Sequence, residues 1–389
     1  MTACAIETAT EDGAVGKTGI TATTRLTITA NGAYAARLTG VGEALYPERW
    51  TLDGPEPYAV PLPLDQPEER DTEVLPLADG RVLIRRRVAG RHAFSLLYPT
   101  GPGTGELPLG EIESAGLTLL PPSPDGVRAY ALAPGATSTS IWLVAGGTFG
   151  PEYVAEVPGR CSGGVWLDRT GRMLALDGQV DGGPVKAVAV DLERGGEVTP
   201  LLQITEESDD RLLLADADSG LLLIRSNAAG HDRLGWGVLG SRRPVRFAEC
   251  LRLPDCAVTP FAVQPGQVLM PESCAVALRI DGAAGSWLGV WRPSAKKLHQ
   301  LAAPDGWLAG AGLWSREGVL QLPYATRAVP CGVARIDGHD MITEGKDVIT
   351  EPAPAECAGG EPSEGSGAAA VCRPVPLQQA PFTGRAAPG

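Results

Sequence analysis

Several short stretches of this sequence gather residue types that do chemistry, and each can be judged by the backbone that chemistry would need. Gly159-Arg160-Cys161-Ser162-Gly163 has the outline of a nucleophile elbow with a thiol at its centre. An elbow needs a strand leading in and a helix leading out, so that the nucleophile stands clear on a tight turn. Here Trp166-Leu167 and a further glycine turn follow, which assigns Cys161 to the start of a strand. No Gly-x-Ser-x-Gly occurs. Asp216-Ala217-Asp218-Ser219-Gly220 is similar to a calcium loop, but the spacing is one short and no Glu closes it. Its carboxylates read as turn formers. Gly16-Lys17-Thr18 ends like a phosphate-binding loop, yet Glu11 stands where that loop needs Gly, and no helical pattern follows. Cys250 and Cys256 are separated by five residues with no second pair. His92, His231, His299 and His339 are far apart, so no metal-ligand spacing emerges. The histidines fall near loops or strand ends and are expected to be solvated. The reading therefore assigns no catalytic, no cofactor-binding and no metal-binding residue, and no cofactor.

The elements that would carry any site show themselves in a repeat. Gly32, Gly80, Gly126, Gly171, Gly220, Gly266 and Gly318 recur every 45 to 52 residues, each between two apolar runs. Asn31, Asp79, Asp125 and Ser219 precede four of them and suit turn initiation. A tight turn between antiparallel strands often needs positive φ, which glycine adopts without steric cost. After each turn comes a β-favouring run, such as Arg81-Val82-Leu83-Ile84, Leu221-Leu222-Leu223-Ile224 or Gln267-Val268-Leu269-Met270. A third run follows, as in Ser140-Ile141-Trp142-Leu143-Val144 and Trp287-Leu288-Gly289-Val290-Trp291, and then a short polar one such as Val198-Thr199-Pro200-Leu201-Leu202. Runs apolar on both faces fit strands sandwiched between neighbouring sheets. The period predicts an all-β fold: a seven-bladed β-propeller of four-stranded antiparallel blades.

Composition agrees. With 50 Gly and 34 Pro in 389 residues, long helices are disfavoured. The formal net charge of −13 argues against nucleic acid and against an anionic membrane surface. The strongest basic clusters are Arg85-Arg86-Arg87, expected to run from a strand into its turn as a solvated edge, and Arg242-Arg243. Most of the eight tryptophans fall on expected strands and read as core. No apolar stretch is long enough to span a membrane, and residues 1–24 lack the pattern of a secretory signal. Scattered single cysteines suit the cytoplasm better than a disulfide framework.

Along the chain, 1–24 reads as a weakly ordered lead and 25–337 as the propeller. Residues 338–370, rich in Gly, Pro, Glu and Ser, read as a flexible insert, and 371–389 as a returning edge strand and tail. The last repeat ends at Ile336 with three strands, so 371–377 or 19–23 is expected to supply its outer strand.

The turn Ser123-Pro124-Asp125-Gly126, echoed at Asp79-Gly80 and Asn31-Gly32, resembles the repeat of TolB-type propellers. It is also similar to that of the non-catalytic propeller of prolyl-oligopeptidase-like serine peptidases. The segment Arg373-Pro374-Val375-Pro376-Leu377 resembles the strand that leaves such a propeller. In those peptidases an α/β-hydrolase domain carries the catalytic residues, and the chain stops where that domain would begin. The resemblance implies a scaffold or gating role and covers about 25–377. The expected function is non-catalytic: binding of a protein, peptide or small ligand at a loop face or in the central channel. Two alternatives stand beside it. One is an accessory propeller subunit of a separately encoded serine peptidase. The other is a propeller lyase or hydrolase with its site in the channel, disfavoured by the apolar first-strand runs 117–120, 164–167 and 212–214.

Overall fold

The computed structural model describes residues 25–265 and 270–338. The chain divides into a unit of residues 1–344 and another of 345–389, and every described residue belongs to the first. The repeat glycines do the work expected of them. Six of the seven lie among the described residues, all with φ between +70° and +88°, and each joins the first strand of a meander to its second.

The described strands form six antiparallel sheets. Four are four-stranded meanders, at 27–61, 73–113, 118–158 and 257–301. A fifth has eight strands and consists of two successive meanders, 160–202 and 210–247, joined by one parallel bridge between Lys186 and Asp210. The sixth has three strands within 313–337. The only helical elements described are three short 3-10 turns, so the fold is all-β.

Packing follows chain order. One apolar cluster sets Leu75, Leu83 and Phe94 against Ala131 and Val144 of the next meander. Another sets Tyr130 and Ile141 against Leu174 and Val190. The series continues through Ala175 with Ile224, Leu223 with Val276, and Leu288 with Leu320. Leu26, Ala35 and Trp50 of the first meander then pack on Leu308 and Ala311 beside the last. The packing thus runs round the chain and returns to its beginning. The turns meet in the same order. A Cβ on Gly126 would lie 2.5 Å from that of Ala78 on the preceding turn, so glycine is required there by packing as well as by φ.

Several expectations change. Residues 267–269 and Gly266 lie outside the described residues, and Met270 is not in a strand; the second strand of that meander is Val276–Gly282. Pro271, which lacks the N–H of a central strand, opens a 3-10 turn instead. Arg85 and Arg86 are not a solvated edge, whereas Arg87 is exposed as expected. All three lie within the strand Val82–Val88. Arg85 is buried against Glu73 at 2.9 Å, and Arg86 bridges Glu68 and Glu106. His92 is likewise buried rather than solvated, held between Arg85 at 3.2 Å and the Ser114 carbonyl at 3.2 Å. Burial and the adjacent guanidinium push its pKa down. Trp236, Trp291 and Trp314 are core residues, as expected, whereas Trp142, Trp166 and Trp287 are half-buried.

The segments 1–24, 339–370 and 371–389, with both proposed closing strands and the Gly16-Lys17-Thr18 stretch, lie outside the described residues. Among the described residues the strand Gly332–Asp337 pairs only with Val319–Tyr324. No described helix is long and apolar enough to cross a membrane.

Candidate functional site

Two concavities flank one strand of the 210–247 meander. Arg233–Val238 alternates by strict pleat. Leu234 and Trp236 point to the 257–301 side and join its core. Gly235 and Gly237 point the other way, toward the 160–202 meander, and leave that side without side chains. The next strand is only two residues long, Arg246–Phe247, so residues 239–245 form a loop rather than covering the gap. A groove of about 320 Å³ opens there, floored by Leu201, Leu202, Ile204, Leu222, Ile224 and Val245. Across the loop a second hollow of about 220 Å³ lies between Trp236, Arg243, Arg246 and Glu272.

The two glycines differ in why they are glycine. A Cβ on Gly235 would meet Val245 at 3.0 Å and Phe247 at 3.1 Å, so those side chains would have to shift to admit one. A Cβ on Gly237 would meet only Ile224 and Val245, each at an ordinary 3.8 Å, and its φ is not in the left-handed region. Neither backbone nor packing demands glycine at 237; what its absent side chain does is keep the groove open.

The lip is basic. Arg242, Arg243 and Arg246 are all exposed. Arg243 has one distant carboxylate, Glu272 at 3.9 Å, and the Arg246 guanidinium lies over the Trp236 ring at 5.0 Å. The walls of the two hollows contain one carboxylate, Glu272, and one hydroxyl, Ser241, and neither histidine nor cysteine. The arrangement suits an apolar group with an anionic neighbour. It offers no nucleophile paired with a base.

The buried polar groups nearby act between successive meanders. Asp177 accepts the Leu212 N–H of the next meander at 3.1 Å and lies 3.6 Å from Arg211. Burial raises its pKa to about 6 against these favourable contacts. Asp210 is fully buried. Burial raises its pKa, but hydrogen bonds from Ser226, Lys186 and the Ile204 N–H prevail and hold it below the ordinary carboxylate value. The Lys186 ammonium donates to Asp210 at 2.9 Å and to the Thr205 and Ser208 carbonyls. Glu73 and Arg225 play the same part elsewhere, bonding Leu119 N–H and Val258 C=O at 3.1 Å each.

The residues singled out by sequence stay apart. Cys161 begins the strand Arg160–Trp166, is buried, and its thiol is pushed up by that burial, the opposite of an activated nucleophile. Asp216 accepts from the Ser219 N–H and hydroxyl, capping its turn, and Asp218 pairs with Arg169 of the preceding turn. Cys250 and Cys256 are both free thiols. Among the described residues no group of His, Cys, Asp or Glu is placed to hold a metal. The groove itself was missed, though its signal was present: a Leu-Gly-Trp-Gly strand followed within ten residues by three arginines.

No protein-family model matches this sequence, and no curated protein matches it. Solved structures do resemble it. A prolyl endopeptidase is similar over 82% of this chain and 47% of its own, at 14% identity and a TM-score of 0.50. A puromycin-hydrolysing peptidase of Mycobacterium tuberculosis is similar over 82% of this chain and 52% of its own, at 16% identity and a TM-score of 0.48. A TolB-like protein of Agrobacterium tumefaciens covers 58% of this chain and 79% of its own, at 17% identity and a TM-score of 0.40. The chain spans about half the length of the two peptidase structures. At these identities the likeness is one of fold, and the match at a TM-score of 0.50 agrees with the prolyl-oligopeptidase resemblance carried by the turn repeat.

Proposed function

We propose that this chain is a seven-bladed β-propeller that binds a protein or peptide partner and performs no chemistry of its own. The observation that carries the binding reading is the open groove and second hollow flanking the loop 239–245, with an apolar floor and a basic lip. The blade count is supported by the order of the apolar clusters, which link successive meanders and then return from the last to the first. The five described cysteines are free, which supports a reducing compartment, and we place the protein in the cytoplasm. Cross-linking in the native host, followed by mass spectrometry, should recover a stoichiometric partner. The purified chain should not label with a fluorophosphonate probe, because the described residues present no activated serine. A chain that stays monomeric and unlinked in the cell, yet labels stoichiometrically at one serine, would overturn the reading.

A second reading is favoured by one observation. The fold match, at a TM-score of 0.50, is to a prolyl endopeptidase. On this reading the partner is a separately encoded serine hydrolase. The same cross-linking distinguishes it by the identity of the recovered protein.

A further inference from the structure

This inference rests on the peptide-binding reading and names the chemistry of the partner. We infer that the groove beside the loop 239–245 receives a peptide segment bearing a large apolar side chain next to a carboxylate.

Space is the first argument. A groove of about 320 Å³ floored by Leu202, Leu222 and Ile224 has the volume of a small ligand site. Gly237 leaves it open although its backbone and its neighbours would accept a side chain. Leu202, Leu222 and Ile224 are buried, but Leu201, Ile204 and Val245 on the same lining are half-buried, and their apolar surface facing water costs stability. A peptide side chain would remove that cost.

Charge is the second argument, and it gives the segment a direction. The protein carries a net charge of −13, and Arg85 and Arg86 are paired with carboxylates. Arg242 and Arg246 have no ion pair among the described residues, and Arg243 has only Glu272 at 3.9 Å. Of the three, Arg243 lines the groove and Arg246 lines the second hollow, so Arg243 is the cation on the groove's own wall, with Arg242 beside it in the chain. The other wall ends at Ile204, and the exposed Glu206 and Glu207 follow it. A bound carboxylate is drawn to the arginine side and repelled from the other, which sets the order of acidic and apolar residues along the partner. A guanidinium holds a carboxylate through two parallel hydrogen bonds, so the lip suits that group over a neutral one.

The test is selection of a phage-displayed random peptide library on the full-length protein and, in parallel, on Gly237→Leu and Arg243→Glu. The leucine side chain fills the groove from a position where a Cβ meets only ordinary contacts, and Arg243 is exposed, so both variants should fold; their melting temperatures check this. On the native protein the enriched peptides should carry Leu, Ile or Phe beside Asp or Glu. Synthetic copies should bind Gly237→Leu about tenfold or more weakly, the effect of denying burial to one large side chain. Arg243→Glu should remove the acidic preference and keep the apolar one. Equal binding of the same peptides by all three proteins would overturn the groove while leaving peptide binding in place. Enrichment of basic peptides would overturn the charge argument, and enrichment of none on any protein would overturn the peptide-binding reading as well.

Discussion

Asp177→Asn should stabilise the protein at neutral pH and leave it almost unchanged at low pH. The carboxyl is 7% exposed and sits between the 160–202 and 210–247 meanders. Its pKa is raised from 3.8 to about 6, with burial the largest cause, opposed by the Leu212 N–H and Arg211. The folded state therefore holds the proton more tightly than the unfolded state. Where the folded state binds more protons, stability falls as pH rises. The contribution is fully present below about pH 3.8 and is lost as pH climbs through about 6. At about 1.4 kcal/mol per pH unit, the loss by pH 8 is about 3 kcal/mol. Asparagine keeps an oxygen for the Leu212 N–H but has no proton to lose. With an unfolding entropy of ~0.65 kcal/mol/K for a body of this size, the melting temperature of the variant should exceed that of the parent by about 5 °C at pH 8. The assay is thermal unfolding of both proteins at half-unit steps from pH 4 to pH 8. A difference that is flat with pH, or an asparagine variant that becomes relatively less stable as pH rises, would refute the assignment of Asp177 as a carboxyl strained by burial.

The remaining predictions concern the joints between sheets. Gly126→Ala should cost about 2–4 kcal/mol, combining left-handed backbone strain with a Cβ 2.5 Å from Ala78, whereas Gly182→Ala, at a similar φ of +71° with open space around it, should cost about 1–2 kcal/mol. Denaturant titration of the pair checks this, and equal losses would show that the turn-to-turn packing is slack. Lys186→Met leaves the fully buried Asp210 without its ammonium and should cost about 3–5 kcal/mol. Adding Asp210→Asn should recover part of that loss, and a single variant as stable as the parent would mean the hydroxyls of Ser208 and Ser226 suffice for the carboxylate.

The sequence by itself determined the repeat and the class of fold. Glycine at a φ near +70° is a local requirement, so a turn such as Ser123-Pro124-Asp125-Gly126 announces itself from four residues. The apolar runs after these turns were legible for the same reason, since a strand covered on both faces must be apolar on both. Where the turn glycine was followed by a proline-bearing stretch, local signals failed, and the second strand of that meander lies further on at Val276–Gly282. Burial of charge was invisible as well. Arg85 and His92 look like surface residues in sequence, because the groups that make their burial tolerable are each other, Glu73, and the Ser114 carbonyl, up to 22 residues away. The groove was decided by tertiary structure alone. The glycines at 235 and 237 look alike in the chain, and only the positions of Val245, Phe247 and Ile224 separate the one that packing crowds from the one that leaves space. Turn chemistry depends on neighbours in sequence and can be read from it; a cavity depends on which side chains from distant strands fail to meet, and no short stretch of sequence records that.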